Sequence, residues 1–194
     1  MKNLSLRQPR GFTLVELLIV IAIIMVLASL GFAGVQTAMK RAKTVQSLNI
    51  ATNVAQGIQS FYDEYGSLPS TSATAAEINT NSGEGVTLLR VLLAQEGGGT
   101  SALNTKSINY LSIKEAKGKK AGLDYGTGTT TVNGLYDAWG EPYFIVFDDD
   151  YNDEIPNPIR FATTEPAIIR GAKAIVYSKG ADRIRNTRDD VKSF

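Results

Sequence analysis

The chain has 194 residues, of which 20 are basic and 19 acidic, and it contains neither cysteine nor histidine. These absences exclude a disulfide framework, thiolate metal sites and histidine-based catalysis, so a metal site would need oxygen ligands, as calcium and magnesium sites do. The near balance of charge argues against binding nucleic acid through bulk positive charge, and 43% hydrophobic residues are too many for a disordered chain.

The first predicted element is an apolar helix near the N-terminus. Residues 1–11 carry three basic side chains and no acidic one, and residues 17–35 include no charged residue. An apolar run of about 20 residues is long enough to span a bilayer, and its basic N-terminal flank predicts that this end stays in the cytoplasm. Glu16 lies at the start of the run, where a carboxylate is costly and is therefore a candidate functional group.

The segment allows three interpretations, which differ in how they account for Glu16. A secretory signal peptide has a shorter apolar core and a small-residue cleavage site, which residues 28–33 supply only loosely. A plain signal anchor fits the length of the run but leaves the carboxylate unexplained. The third interpretation rests on the string GFTLVE at residues 11–16, which resembles the prepilin processing motif of type IV pilins and type II secretion pseudopilins.

This resemblance implies roles for three residues. A prepilin peptidase would cut after Gly11 on the cytoplasmic side, removing residues 1–11 as a leader, and would methylate the new N-terminal amine of Phe12. Glu16 would pair with the N-terminal amine of a neighbouring subunit during filament assembly. The sequence supports this pairing, because a carboxylate in hydrocarbon needs a cation and no lysine or arginine follows before Lys40.

A single long helix is predicted from the residues that follow. No proline occurs between residues 10 and 68, and apolar or small residues recur at steps of three and four from Val35 to Val45 and again from Ile50 to Tyr65. Gly66 and Pro69 then provide a stop signal. A helix from about Leu14 to Tyr65 would be about 78 Å long, which is far longer than a globular helix.

The resemblance divides this helix into two halves. Residues 12–35 are assigned to a transmembrane and filament-core half, residues 36–66 to a half that packs on a head, and residues 67–194 to the periplasmic head itself. Many pilins carry a proline about 22 residues into the mature chain, where this chain has the string GFAG at residues 31–34. Glycine weakens a helix, so the string is either a soft point or a place where neighbouring helices pack closely.

The remaining sequence predicts a head of α+β class, and the resemblance implies a pilin-like fold in which the helix packs against a small antiparallel β-sheet with long loops. Residues 86–94 have the composition of a short helix, and residues 144–147 and 172–177 have that of strands. The other segments are predicted as connections: a loop at 70–85, a flexible stretch at 95–106, a solvated basic surface or partner contact at 114–120, and a hairpin-like or irregular loop at 125–134.

The string DAWGEPY at residues 137–143 resembles a signature of the major, G-type pseudopilin of type II secretion. The resemblance implies a turn that leads into the sheet, with Trp139 packed at the junction of sheet and helix. The predicted role of the tryptophan is structural and not catalytic.

An acidic cluster follows at residues 148–154, with the sequence DDDYNDE. Its spacing imitates the opening of an EF-hand calcium loop, but Asp153 occupies the position of the required glycine and Ile159 that of the bidentate glutamate. An EF-hand is therefore rejected. We interpret the cluster as a solvated acidic turn, with a secondary cation or partner contact as the alternative.

The C-terminal residues 178–194 resemble the segment of G-type pseudopilins that wraps one calcium ion. Calcium accepts six to eight oxygen ligands, carbonyls included, so such a loop suits it chemically. The loop here is rich in arginine, which leaves salt bridges as the alternative to the ion, and Phe194 replaces the usual tryptophan. The resemblance implies carboxylate ligands from Asp182 and Asp189, carbonyl ligands from Lys179 and Val191, and further ligands or supporting groups from Asp190 and Ser178. The arginines are Arg183, Arg185 and Arg188.

The resemblance as a whole implies a non-enzymatic pseudopilin that polymerises from the inner membrane into the periplasm. Its partners would be copies of itself, minor pseudopilins, prepilin peptidase, the inner-membrane assembly platform and, indirectly, the secretin channel, with no nucleic acid. A type IV or competence pilus pilin is the alternative, although the absence of cysteine favours the pseudopilin, since type IV pilins commonly close their C-terminal region with a disulfide.

A membrane-anchored enzyme or receptor with an exposed head is the competing hypothesis of another class. The sequence contains no Gly-x-Ser-x-Gly motif and no phosphate-binding loop. It also contains no histidine or cysteine that could act as a catalytic base or nucleophile. The sequence therefore favours a structural function.

Overall fold

A computed structural model describes residues 11–69, 77–97 and 101–194, without the side chains of residues 30–33. The predicted leader at residues 1–10, the first part of the predicted loop at residues 70–76, and the side chains of residues 31–33 in the GFAG string lie outside this description, as do the glycines at positions 98 and 99. The chain divides into two compact units, of which one ends at Arg41 and the other comprises Ala42–Phe194.

Helix α1 spans Leu14–Tyr65, as the sequence predicts. In the first unit its large apolar side chains are exposed from Leu14 through Leu27. Among the described residues it is the one helix whose length and apolar composition suffice to cross a membrane. An N-terminal helix of this kind can anchor the chain in a membrane.

In the second unit, one face of α1 forms part of the core. Ile50, Val54, Ile58 and Phe61 recur at steps of four, four and three, and all four are buried. The predicted stripe is therefore confirmed over this stretch. Val45 belongs to the same predicted stripe but is 56% exposed. The buried apolar side chains of α1 in this unit begin at Ile50.

The described part of the head contains short strands and one further helix. A four-stranded antiparallel sheet has the order β1-β4-β7-β8, and β2 pairs with β3 and β5 with β6 in two separate antiparallel ribbons. The elements are β1 (Ile78–Asn79), α2 (Gly83–Leu92), β2 (Gly122–Asp124), β3 (Gly134–Tyr136), β4 (Phe144–Phe147), β5 (Glu154–Pro156), β6 (Ile168–Arg170), β7 (Ala174–Ser178) and β8 (Val191–Lys192). Together with α1 they confirm the predicted α+β class.

One of the predicted connections differs from the structure, and another is confirmed. The loop predicted at 70–85 contains β1 and the first turn of α2, because Ser82 caps that helix by accepting a hydrogen bond from the N–H of Gly85 at 3.2 Å. Gly85 leaves no room for a side chain, since the carbonyl oxygen of Asn79 occupies that space. The segment at 125–134 joins β2 to β3, so the hairpin interpretation is confirmed there.

The central strands β4 and β7 are buried on both faces. Ile145 and Val176 belong to the main core cluster, which also contains the buried residues of α1 and α2. Their neighbours along the strands, Phe144 and Ile175, belong to a second cluster with Ile155 of β5. Since successive side chains of a strand point to opposite faces, the sheet is covered by α1 on one side and by the β5 region on the other.

We expect Phe61→Ala to lower the free energy of unfolding by about 3–5 kcal/mol, because truncating a buried phenylalanine leaves a cavity. The Phe61 ring is 1% exposed and lies 4.5 Å from the ring of Tyr65 and 5.5 Å from that of Tyr110. Urea unfolding of the full chain in detergent, followed by the fluorescence of the single tryptophan, Trp139, measures the change. The exposed Val45→Ala is the control and should change stability by less than about 0.5 kcal/mol; equal effects of the two variants would contradict the core assignment.

Candidate functional site

The first candidate site lies at the start of α1, where Thr13 and Glu16 form a capping box. The backbone N–H and the hydroxyl of Thr13 both donate to Oε2 of Glu16, each at 2.9 Å. The N–H of Glu16 donates in return to the hydroxyl oxygen of Thr13 at 3.2 Å. This reciprocal arrangement satisfies backbone donors that the first turn of a helix leaves free. The sequence analysis missed it, although the spacing Thr-x-x-Glu was its signal.

The capping box also orients the carboxylate of Glu16. Both hydrogen bonds from Thr13 end on Oε2, and no described residue donates to Oε1. Phe12 and Glu16 are both exposed, and no described basic group forms an ion pair with Glu16. The first unit therefore presents a fixed carboxylate with one free oxygen at the start of its apolar helix.

The second candidate site is the C-terminal loop between β7 and β8, which is organised around Asp189. Its Oδ2 accepts from the N–H of Ala181 at 2.7 Å and from that of Asp182 at 3.1 Å, and its Oδ1 accepts from the hydroxyl of Thr187 at 3.0 Å. Gly180 adopts a φ of +65° and has no space for a side chain, because the carbonyl group of Asp189 lies against it. The carboxylate therefore draws the two arms of the loop together.

The pKa values of two loop carboxyls shift in opposite directions. Partial burial raises the pKa of Asp189, but the hydrogen bonds from Asp182, Thr187 and Ala181 outweigh burial, so the pKa lies below its usual value. Burial raises the pKa of Asp190 above its usual value, and the nearby charge of Asp182 adds to this effect. Oδ2 of Asp190 accepts from the N–H of Thr187 at 3.0 Å, whereas its Oδ1 is buried and has no hydrogen-bond partner.

The arginines of the loop do not neutralise these carboxylates as the salt-bridge alternative expected. Arg185 forms a two-fold contact with Glu77, and its guanidinium lies 4.6 Å from the centre of the Phe144 ring. Arg183 forms an ion pair with Glu141 at 3.3 Å. Both partners lie outside the loop, because the glutamates at 77 and 141 come from segments next to β1 and β4. Arg188 forms no ion pair within the described chain.

The residues of this loop fit calcium only if carbonyl oxygens take part. Among the described residues, no group of three or more acidic side chains converges closely enough to hold a metal ion. Asp182 and Asp189 are neighbours, since the N–H of Asp182 donates to Oδ2 of Asp189 at 3.1 Å. Carboxylates supplemented by carbonyl oxygens form a donor set that calcium accepts.

Three residues predicted as contributors to the calcium site make other contacts. The Ser178 hydroxyl donates to Asp137 at 2.9 Å, and the Lys179 ammonium lies 5.2 Å from the centre of the Phe144 ring. The Val191 backbone is paired with Ser178 in the β7–β8 ladder. The arrangement therefore places Asp182 beside Asp189, with Ser178 bonded to a different carboxylate.

That carboxylate, Asp137, is a key residue that the sequence analysis did not single out. It is fully buried, and its Oδ1 accepts from the N–H groups of Trp139 at 2.8 Å and Glu141 at 2.9 Å, while its Oδ2 accepts from Ser178. Burial raises the pKa of Asp137, against the opposing effect of these hydrogen bonds. One side chain thus shapes the turn of the DAWGEPY segment and holds the start of the C-terminal loop.

The same segment is also attached to α1. The N–H of Ala138 donates to the hydroxyl oxygen of Ser47 at 3.0 Å, and the hydroxyl of Tyr143 donates to the Ser47 carbonyl at 2.9 Å. Trp139 is half-buried against the main core cluster, which contains residues of both the helix and the sheet. This agrees with its predicted place at the junction of sheet and helix.

The acidic cluster at residues 148–154 is only in part the solvated turn that we predicted. Asp148 is buried and accepts from the ammonium of Lys173 at 3.0 Å and from the N–H of Asp153 at 3.2 Å. Lys173 also contacts Asp153 at 2.6 Å and lies 5.1 Å from the centre of the Tyr62 ring. The prediction is wrong for Asp148, because a lysine 25 residues further along the chain supplies the charge that allows its burial.

Comparisons with known proteins give a consistent result. Residues 6–32 match the family described as "Prokaryotic N-terminal methylation motif". The type IV major pilin protein PilE of Neisseria gonorrhoeae is 30% identical over 114 residues, which are 59% of this chain and 65% of that protein. The fimbrial protein EcpC of Eikenella corrodens is 30% identical over 115 residues, or 59% of this chain and 72% of that protein.

A fimbrial protein of Neisseria meningitidis is 29% identical over 114 residues, which are 59% of this chain and 64% of that protein. The chain thus spans a little under two thirds of the length of the Neisseria proteins it matches. A comparison with the solved structures gave no significant match.

We expect the effects of Asp137→Ala and Ser178→Ala on stability to be coupled. Asp137→Ala leaves two backbone N–H groups without their acceptor and should cost about 2–4 kcal/mol, whereas Ser178→Ala should cost about 1 kcal/mol. If the two side chains bond directly, the double variant should deviate from additivity by about 0.5–3 kcal/mol in urea unfolding.

The matched control for this cycle is Thr87→Ala, since the hydroxyl of Thr87 donates to the carbonyl of Gly83 and shares no partner with Asp137. Asp137→Ala combined with Thr87→Ala should be additive within about 0.5 kcal/mol. Additivity in both pairs would show that the DAWGEPY segment and the C-terminal loop are energetically independent, contrary to the structure.

Proposed function

The chain belongs to the type IV pilin-like superfamily, and from that premise we propose that it is a structural subunit of a filament that assembles through its N-terminal helix. Prepilin peptidase cleaves after Gly11 and methylates the amine of Phe12. The helix then holds the subunit in the inner membrane with its N-terminus on the cytoplasmic side and the head in the periplasm. The proposal rests chiefly on Glu16, a carboxylate at the start of an apolar helix with one oxygen free.

The physics of that carboxylate favours assembly. An ion in a low-dielectric medium needs a counter-charge, and no basic residue occurs between residues 11 and 39. Cleavage after Gly11 creates a charged amine at Phe12 and makes Glu16 the fifth residue of the processed chain. The capping box uses the N–H and hydroxyl of Thr13, so Oε1 of Glu16 is left for the amine of a neighbouring copy.

We propose further that the filament is a type II secretion pseudopilus and that this chain is a major, G-type subunit. Support comes from the bond between Asp137 and Ser178, which joins the two segments that carry the resemblance to G-type pseudopilins. The absence of cysteine also favours this class. Minor pseudopilins, the assembly platform and, indirectly, the secretin would be the partners. The names of the matched relatives, a type IV major pilin and fimbrial proteins, favour the second candidate, a pilus pilin.

We propose that the C-terminal loop holds a structural calcium ion. Asp182 and Asp189 would supply carboxylates, Lys179 and Val191 carbonyl oxygens, and Asp190 a further carboxylate, with Ser178 as a supporting group. The support is that Oδ1 of Asp190 is buried without a partner, while Arg183 and Arg185 are paired elsewhere. Such an ion would close the loop in a chain that cannot form a disulfide.

Glu16→Gln and Glu16→Ala should both abolish filament assembly, because each removes the charge that pairs with the N-terminal amine. The two variants differ in the capping box, since glutamine keeps a side-chain oxygen that can accept from Thr13 and alanine does not. Filaments are counted by electron microscopy of cells that produce each variant with the assembly proteins.

Two readouts control this experiment. The mass of each chain should show cleavage after Gly11 and a methylated Phe12, so that a loss of filaments is not a failure of processing. The thermal unfolding of the head should be unchanged. If Glu16→Gln assembles like the wild type while Glu16→Ala does not, the carboxylate acts only as a helix cap and charge pairing is refuted.

Removal of calcium should lower the melting temperature of the full chain in detergent by roughly 5–10 °C, which corresponds to saturation at about 100 times the dissociation constant. A chelator titration followed by circular dichroism measures the shift. Asp182→Asn with Asp189→Asn should make the chain insensitive to chelator, whereas the exposed Asp150→Asn should keep the full response. An unchanged melting temperature, together with no metal in native mass spectrometry, would eliminate the calcium site.

A further inference from the structure

One groove on the head combines apolar and acidic side chains, and none of the functions above uses it. Its volume is about 430 Å³. We name it the acidic groove and define it by the apolar residues Val146, Phe147 and Ile168 and the acidic residues Asp149, Asp150 and Glu154.

The charges near the acidic groove are only partly neutralised within the chain. Glu154 forms an ion pair with Arg170 at 2.8 Å. Asp149 and Asp150 are exposed and form no ion pair with any described residue; Asp150 accepts hydrogen bonds only from Asn152. The groove therefore presents two free carboxylates beside apolar surface, which fits a partner with several ammonium groups on aliphatic stems.

The same head carries a surface of that chemistry, which we name the lysine turn and define as residues 117–120. Lys117, Lys119 and Lys120 are exposed, and none of them forms an ion pair within the described chain. The N–H of Lys117 donates to the carbonyl oxygen of Lys120 at 3.2 Å. The N–H of Ala121 donates to the carbonyl oxygen of Asp137 at 2.6 Å. The turn is thus closed on itself and attached to the DAWGEPY segment.

The lysine turn and the acidic groove lie at opposite ends of strand β4. The carbonyl of Lys119 is in close contact with Gly140, which precedes the strand. Phe147 is the last residue of the strand, and Asp149 and Asp150 follow it. Asp149 lies nine positions after Gly140, so the two surfaces are up to about 30 Å apart along the chain direction.

We propose that the acidic groove of one copy of this chain receives the lysine turn of a second copy, head to tail. Two different surfaces at opposite ends of a strand make a heterologous contact, which leaves one groove and one turn free after each addition. Such a contact propagates into an open helical filament when the rotation between successive copies does not close into a ring. The inference rests on the proposed function, because it describes how heads meet in the filament.

Charge reversal tests this contact. Asp149→Lys with Asp150→Lys reverses the groove, and Lys119→Glu with Lys120→Glu reverses the turn. Each pair places like charges opposite each other, so each should reduce the number of filaments at least about tenfold. The four-fold variant that combines both pairs restores opposite charges and the net charge of the wild type, and it should restore assembly.

A scrambled variant is the matched control. Lys119→Glu and Lys120→Glu are combined with Asp63→Lys and Glu84→Lys, two exposed acidic positions outside the groove, so that net charge is again restored. This variant should stay defective. Rescue by the scrambled variant as well, or failure of the four-fold variant when its head melts like the wild type, would overturn the contact.

The charge-reversal experiment and the Glu16 experiment can fail independently of each other. If the wild type assembles and Glu16→Gln does not, the filament function stands whatever the charge-reversal variants do. If the wild type forms no filaments, the proposed function itself fails, whereas normal assembly of Glu16→Gln refutes only the charge pairing of Glu16. Assembly of both reversed pairs at wild-type level would refute the head-to-tail contact alone.

Discussion

The buried carboxylate of Asp137 is the interaction on which the organisation of the head depends. It accepts from two N–H groups of its own turn and from Ser178, which begins the C-terminal loop. The same turn bonds through Ala138 and Tyr143 to Ser47 of the long helix. A buried charge must be satisfied by its neighbours, so this single group enforces the mutual placement of helix, sheet and loop.

The two sites share a principle, which is that hydrogen bonds position carboxylates without neutralising them. Glu16 is held by the hydroxyl and N–H of Thr13, and Asp189 by two N–H groups and the hydroxyl of Thr187. Neither is paired with a basic side chain of the described chain. In both places the protein supplies orientation, and the counter-charge is the one that we propose comes from outside: an amine of another subunit at Glu16 and a calcium ion at Asp189.

The elements that the sequence predicted correctly are encoded by signals local in the chain. The bounds of α1 follow from apolar periodicity and from Gly66 and Pro69, and the strand at 144–147 from its composition. What it missed depends on contacts distant in sequence: Ser178 reaches Asp137 across 41 residues, and Lys173 reaches Asp148 across 25. Strands of two or three residues, such as β1 and β8, are too short to show a period and are recognised only through their partners.

The capping box has a consequence for the subunit before assembly. A carboxylate that already accepts two hydrogen bonds from its own chain is less destabilised while the subunit is alone in the membrane. Because both bonds end on Oε2, an amine that arrives at Oε1 would not have to break them, so they stabilise the carboxylate before and after the proposed pairing. The box therefore protects the carboxylate while the subunit waits in the membrane, without competing with the proposed partner for the same oxygen.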